Sequence, residues 1–208
     1  MNVQQVYDRY NIPFHLQKHM LRVAALSIIL VDNWTMDGLD KESIIRASAF
    51  HDMANIIKFN FDKPALFKEE ESKTNYWRKI QMEVIKKYGD NIHKATLKMC
   101  QEIGLSHKTL TIIENLEWNN TPKILKRKDY ESAISIYCDM RVGPYGIMPL
   151  SERIEDLETR NNVHNMSFVR KVANILETIL QKYTAIQISE ISDFQIKGAF
   201  RKLPELRI

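Results

Sequence analysis

The chain has 208 residues, enough for one domain with a sizeable core, and its 44% hydrophobic and 27% charged residues are an ordinary globular composition. Only six Gly and six Pro argue against a β-sandwich or barrel, so we predict a compact all-α domain of about seven or eight helices. A net charge of +4 lacks the strong basic bias of a nucleic-acid groove, and the longest apolar stretch, 23–31, is too short to span a bilayer. We predict a soluble cytoplasmic protein in which Cys100 and Cys138 are buried, reduced thiols.

The first predicted helix runs from Pro13 to about Val31, because proline suits a first helical turn and the apolar residues that follow recur at helical spacing. His15, His19 and Arg22 lie four and three residues apart, so they share one face of this helix. The face is polar beside an apolar stripe, which makes it a candidate for binding.

The second predicted helix runs from Lys41 to about Phe59 and follows Asp40, a good N-cap. It carries the adjacent pair His51 and Asp52 inside an otherwise apolar run of small residues. Small residues let a neighbouring helix come close, so groups on that helix can reach the same point.

The rest of the chain predicts more helices joined by short polar segments. An acidic cluster at 69–71 precedes the third helix and is assigned to the positive end of the helix dipole. The segment from Glu117 to Asp129 is predicted to be a mobile loop. The further predicted helices are one ending at Gly89, one from Asp90 to near Gly104, one from Ser106 to Trp118, one from Tyr130 to Val142, one capped by Ser151 and one from Phe168 to Tyr183.

The pair His51 and Asp52 needs partners, because burying a carboxylate beside an imidazole is costly unless both groups are hydrogen-bonded, ion-paired or bound to a metal. His19 and Asp139 are each a lone polar side chain of a metal-ligand type on a mostly apolar helix. Two imidazoles and two carboxylates suit one divalent ion and leave positions open for water. We predict one metal site formed by these four residues.

In these residues the chain resembles the HD superfamily of metal-dependent phosphohydrolases, whose pattern is a His, then a His-Asp dipeptide, then a distant Asp, all on helices. The run Tyr137 to Arg160 is similar to the closing segment of many such proteins. The resemblance covers roughly residues 13–183. It implies an HD-type domain over 1–184 and leaves 185–208 as an extension that packs on the domain or on a second subunit of a homodimer.

The resemblance implies hydrolysis of a phosphate ester or anhydride of a nucleotide or related small phosphate compound. The cofactor would be one divalent ion, Mn, Fe, Co, Ni, Zn or Mg, which activates a water for attack on phosphorus. Asp52 is the predicted catalytic residue, since it can orient that water while remaining a ligand. The residues predicted to bind substrate are Arg22, Asn55, Lys58 and Arg141.

One position departs from the pattern. Some members of the superfamily carry a Glu or His three residues after the His-Asp dipeptide, whereas this chain has Asn55, and an amide cannot act as a general acid. The leaving group is then protonated by water or by another residue, with Glu83, Glu114 and Glu117 as candidates, or it departs unaided.

Several alternatives stay open from the sequence. His15 could join His19 as a metal ligand, and His93 with His107 could form a second metal site of the kind found in some HD proteins. The domain could instead be a nucleotide-sensing or regulatory module with a structural metal. The basic residues of the predicted loop could steer a phosphorylated substrate or bind RNA or DNA, although a solvated surface is the simpler interpretation; these residues are Lys123, Lys126, Arg127 and Lys128.

Overall fold

The computed structural model describes residues 1–62, 72–161 and 166–208, and these residues form helices and no β-strand. The all-α prediction is therefore confirmed. The acidic cluster at 69–71 lies outside the described residues. The α-helices are α1 (Val3–Arg9), α2 (Phe14–Asp32), α3 (Lys41–Phe50), α4 (Thr74–Tyr88), α5 (Ile92–Glu102), α6 (His107–Asn115), α7 (Thr121–Arg127), α8 (Tyr130–Arg141), α9 (Leu150–Asn161), α10 (Met166–Lys182) and α11 (Asp193–Lys202).

The described part of the chain contains three helices that the sequence did not predict: α1, α7 and α11. Two of them begin at capping boxes, in which a side-chain oxygen and a glutamine three residues later satisfy the free amides of the first turn. Asn2 pairs with Gln5 at α1, and Ser192 pairs with Gln195 at α11. Both helices are short, so local capping and tertiary packing outweigh their weak apolar periodicity.

The predicted mobile loop from Glu117 to Asp129 is wrong, because most of it is the helix α7. A proline occupies the first turn of α7, and Thr121 and Ile124 are buried against the rest of the domain. The left-handed Lys128 then ends the helix. The dense positive charge occupies the solvated face of a packed helix and does not mark an irregular loop.

Helix α2 is the central element of the fold. It packs against α3, α8 and α11, and ten of its side chains are buried. Among the described residues it is the one helix long and apolar enough to cross a membrane, and 56% of that candidate window is buried inside the protein. Core burial accounts for its apolar character.

The second predicted helix is too long: α3 ends at Phe50, so His51 and Asp52 lie just beyond it, followed by a 3-10 turn over Asn55–Lys58. The last carbonyls of α3 have other partners. Tyr7 Oη donates to the carbonyl of Ala49 at 2.6 Å, and His51 Nδ1 lies 2.8 Å from the carbonyl of Ser48. A continuing helix would use these two carbonyls as acceptors for its own amides. Because both carbonyls already have partners, the helix ends at Phe50 and the chain changes direction.

Two neighbouring helices hold the segment after His51 in place. The amide of Ala54 donates to Thr96 Oγ1 of α5 at 3.2 Å. From α4, Gln81 Nε2 donates to the carbonyls of Ile56 and Phe59 at 2.8 and 2.9 Å. The backbone that presents Asn55 and Lys58 is therefore fixed by tertiary hydrogen bonds.

Other helix ends lie close to the sequence predictions. Ser106 caps α6 and Gly89, with φ +93°, ends α4. The helices predicted to start at Asp90, after Ser151 and at Phe168 begin one or two residues away from those positions. Cys100 and Cys138 are buried free thiols, and burial raises the pKa of each well above its ordinary value.

The segment 185–208 packs on the domain through contacts of α11 with α2. Arg141, at the end of α8, helps to hold it: this side chain is fully buried, and its guanidinium donates to the carbonyls of Ile188 and Ile191 at 2.6 and 2.9 Å. The same group donates to the Tyr137 hydroxyl and to the carbonyl of Met148. Arg141 is a structural residue that joins the C-terminal segment to α8.

Candidate metal centre

Three helices bring the predicted metal ligands together. His19 lies in α2, His51 directly follows α3, and Asp139 lies in the last turn of α8. His19 Nε2 donates to Asp139 Oδ1 at 3.0 Å, and His51 Nε2 lies 3.3 Å from the same oxygen. The ligand atoms of these three residues all lie within 4.8 Å of one another.

These separations fit a shared ion. Two ligand atoms that each lie about 2.1 Å from one metal are about 3 Å apart, which is close to the nitrogen-to-oxygen distances seen here. His51 adds a second indication, because its Nε2 is buried and has no hydrogen-bond partner among the described residues. A buried polar atom without a hydrogen bond is costly unless another ligand satisfies it. The cluster of His19, His51 and Asp139 could therefore hold a metal ion.

The orientation of the His51 ring also suits a ligand. Its Nδ1 lies 2.8 Å from the carbonyl of Ser48, so Nδ1 carries the hydrogen and Nε2 is the nitrogen that faces His19 and Asp139. Histidines that bind metals are commonly held in this way through their other ring nitrogen. The same contact satisfies one of the last carbonyls of α3.

Asp52 lies beside the cluster. Its Oδ2 is 3.8 Å from Nε2 of both His19 and His51, and it accepts a hydrogen bond from Asn55 Nδ2 at 2.6 Å. Asn55 therefore orients Asp52, in addition to lining the cavity as predicted for a substrate-binding residue. The other oxygen of Asp52 has no recorded hydrogen bond within the described ranges.

The carboxylates give the centre a strong negative potential. Burial opposes protonation of His51, but the charges of Asp52 and Asp139 outweigh it and raise the pKa of His51 to about 9. Burial likewise opposes ionisation of Asp139, and the charge of His51 with a hydrogen bond from His19 holds the pKa of Asp139 well below its usual range. The same potential that retains a proton on His51 favours a divalent cation.

The centre opens into a cavity of about 480 Å³, a size typical of small-molecule sites. His19, Asp52 and Asp139 line it. The cationic side chains on its wall are Lys18, Arg22, Lys58 and Arg153. Carboxylates at one point with cations around it suit a metal and a phosphate group together.

Arg22 and Lys58, which the sequence predicted to bind substrate, both line the cavity. Arg22 Nε donates to Asp193 Oδ1 at 2.9 Å, which leaves its two terminal nitrogens without a recorded partner in the described part of the chain. Lys58 is exposed. Either side chain can reach an anion in the cavity.

Arg141 is wrong as a substrate-binding residue, because it does not line the cavity and its donors are occupied by backbone carbonyls. His15 lines the cavity and stacks on Phe59 with ring centroids 5.1 Å apart, but it is not part of the described three-residue cluster. The other predicted candidates that do not line the cavity are Glu83, Glu114, Glu117, His93, His107, Lys123, Lys126, Arg127 and Lys128.

Sequence reasoning missed Asp193, which sits at the first position of α11. Its Oδ2 accepts from the amide of Ile147 at 2.8 Å while Oδ1 accepts from Arg22. Asp193 thus connects the turn after α8 to Arg22, a cation on the cavity wall. No local signal marks this residue, since its partners lie 46 and 171 positions away.

Gly146 is predicted to be intolerant of alanine. A Cβ there would lie 2.2 Å from Asp193 Oδ2, and the residue has φ +155°. We expect Gly146→Ala to lower the free energy of unfolding by more than about 1 kcal/mol and to disturb the contact of Asp193 with Arg22. Urea unfolding followed by circular dichroism measures the loss.

The matched control is Gly198→Ala in α11, where a Cβ meets nothing within 4 Å. Alanine in a helix interior is better than glycine by about 0.5–1 kcal/mol, so this variant should be slightly stabilised. Equal stability changes at Gly146 and Gly198 would contradict the close approach of Asp193.

No family model matches the sequence, and neither a curated protein nor a solved structure matches it. Function is therefore inferred from the residues of the centre and its cavity: two imidazoles and a carboxylate that could hold a metal ion, beside Asp52, with four cationic side chains on the cavity wall.

Proposed function

We propose that this protein is a metal-dependent phosphohydrolase of the HD type, which cleaves a phosphate ester or anhydride of a small phosphorylated compound such as a nucleotide. One observation carries the proposal: the cluster of His19, His51 and Asp139 opens into a cavity whose wall also carries four cationic side chains. A metal site alone would serve many functions, whereas metal ligands together with cations favour a phosphate substrate.

The proposed ligands are His19 Nε2, His51 Nε2 and the carboxylates of Asp139 and Asp52. Mixed nitrogen and oxygen donors suit Mn, Fe, Co, Ni, Zn or Mg. When bound, a divalent ion supplies Lewis acidity and lowers the pKa of water. The four side chains would hold one ion, because the described residues contain no second group of His, Cys, Asp or Glu side chains close enough together to hold another.

The cations would bind the phosphate. Arg22 is held through Nε by Asp193, so its terminal nitrogens can pair with phosphate oxygens while the side chain stays in place. Lys18 and Lys58 add positive charge from two other positions on the wall. This arrangement would stabilise negative charge as it increases on the phosphate in the transition state.

Asp52 would orient the attacking water. Asn55 donates to Oδ2 and fixes the carboxylate, so the other oxygen is available to accept a proton from water. None of Glu83, Glu114 and Glu117 lines the cavity, so these residues are not the general acid. In the proposed reaction the leaving group takes its proton from water or from another group on the cavity wall, or it departs unaided.

The test is a hydrolysis screen of the purified protein with Mn, Co, Ni, Mg, Fe and Zn against a panel of nucleotides and sugar phosphates, reading phosphate and pyrophosphate release. We expect release by the parent and at least a hundredfold less, in order of magnitude, from Asp139→Ala. Equal release by the two proteins would mean a contaminating enzyme and would overturn the proposal.

If no compound of the panel is hydrolysed although metal is still bound, the nucleotide-sensing module would be favoured instead. A nucleic-acid role has less support, because the basic run of α7 does not line the cavity. We also place the protein in the cytoplasm, since its two buried thiols are those expected in a reducing compartment.

A further inference from the structure

Two aromatic side chains lie exposed on the rim of the cavity. Phe14, the first residue of α2, is 53% exposed, and Tyr145, in the turn after α8, is 80% exposed. Both line the cavity that contains the metal cluster. A single exposed aromatic side chain needs no explanation, but two on the rim of one polar cavity form an accessible stacking surface.

The cavity therefore combines two kinds of surface. The metal ligands and Arg22 supply charge, and the aromatic rings supply flat apolar faces. Lys18 joins the two, because its ammonium lies 4.3 Å from the centroid of the Phe14 ring and also lines the cavity. A ligand that fits both surfaces has an anionic group attached to a planar ring.

We infer that Phe14 and Tyr145 stack on the base of a mononucleotide while its phosphate lies among the metal ligands and cations, an inference that rests on the proposed function. The volume of about 480 Å³ suits a mononucleotide. Stacking depends on a π face that every base has, so purines and pyrimidines are both accepted.

The first measurement is kcat/KM for adenosine 5′-monophosphate, cytidine 5′-monophosphate and ribose 5-phosphate, which shares the phosphate and sugar but lacks a base. The parent should prefer both nucleotides to ribose 5-phosphate by about tenfold or more. The double variant Phe14→Leu, Tyr145→Leu should lose about tenfold on the nucleotides and keep its rate on ribose 5-phosphate. Leucine retains apolar bulk and removes the aromatic face.

Phe194→Leu is the matched control, because Phe194 is 83% exposed and does not line the cavity. It should leave all three rates unchanged. Equal kcat/KM of the parent for nucleotides and ribose 5-phosphate would overturn the stacking surface, and so would an unchanged nucleotide preference in the double variant.

A binding measurement separates this inference from the proposed function. Equilibrium dialysis of adenosine 5′-monophosphate and of ribose 5-phosphate against the metal-free parent and double variant needs no turnover. Tighter binding of the nucleotide that disappears in the double variant supports stacking even if the parent hydrolyses nothing, in which case only the hydrolase proposal fails. Equal binding of the two compounds by the parent overturns stacking.

Discussion

His51→Ala is expected to abolish binding of a divalent metal and, with it, hydrolysis of phosphate compounds. The imidazole is almost fully enclosed, and its Nε2 lies 3.3 Å from Asp139 Oδ1, so no other side chain can take its place without a rearrangement. Loss of groups that merely orient metal ligands lowers affinity by about 10- to 100-fold, and loss of a ligand should exceed that range. Metal content by mass spectrometry after dialysis against Mn, and calorimetric titration, measure the effect.

Two histidines provide matched controls for this substitution. His107 is exposed and lies in α6, away from the cavity, so His107→Ala should bind metal as the parent does. His15 lines the cavity but is not in the cluster, so His15→Ala should also retain the metal. Full metal content in His51→Ala would remove the proposed centre, whereas loss in His15→Ala would make that residue a ligand.

Asp52→Ala tests the fourth ligand. Its Oδ2 is 3.8 Å from both histidine nitrogens, farther than Asp139 Oδ1. If Asp52 is a ligand, as we propose, the variant should lose metal affinity together with activity. Retained metal with lost activity would leave Asp52 the role of orienting water and reduce the centre to three protein ligands.

Arg141→Met is expected to destabilise the protein by about 3–5 kcal/mol, because each buried acceptor that loses its hydrogen bond costs about 1–3 kcal/mol. The guanidinium serves the carbonyls of Ile188 and Ile191, which a methionine of similar length leaves unsatisfied. The stability of Arg141→Lys should lie between that of Arg141→Met and that of the parent, since an ammonium cannot reproduce the planar fork of the guanidinium. Urea unfolding midpoints and slopes measure these changes.

Arg201→Met is the control for that change, since Arg201 is exposed on α11 and should shift stability by no more than about 0.5 kcal/mol. Comparing Arg141→Met with Arg201→Met also distinguishes a structural role of Arg141 from a role in substrate binding. If Arg141 bound substrate, Arg141→Met would raise KM and leave stability unchanged, which would contradict the buried network. Loss of less than about 1 kcal/mol would show that water replaces the guanidinium.

Local chemistry explains what the sequence could predict. The apolar period and the proline before α2 give its limits, and Asp40 caps α3 through a side-chain bond to the amide of Ser43. These signals act over three or four residues. They can be recognised without knowing which helices pack together, so the helices that carry His19 and Asp139 were predicted with nearly correct bounds.

The candidate site was only partly predictable for the same reason. His19, His51 and Asp139 are polar residues in mostly apolar segments, and a buried charge must find a partner, so this cost together with the resemblance to the HD pattern predicted that they meet. Arg141 looks equally suitable in sequence, yet its side chain turns into the core and binds backbone from residues nearly fifty positions later. Asp193 contacts Arg22 across 171 positions, a pairing for which no local pattern exists.

By itself the sequence determined the helical class, the identity of the candidate ligands and the caps of α3 and α6, because each follows from short-range periodicity, from capping chemistry or from the cost of burying a charge. The tertiary structure decided where α3 stops, since Tyr7 and His51 take the carbonyls of Ala49 and Ser48. It also decided which arginine lines the cavity and which one supports the fold. The hydrogen bonds of Tyr7, Arg22 and Arg141 join distant segments, and they form only when the helices pack.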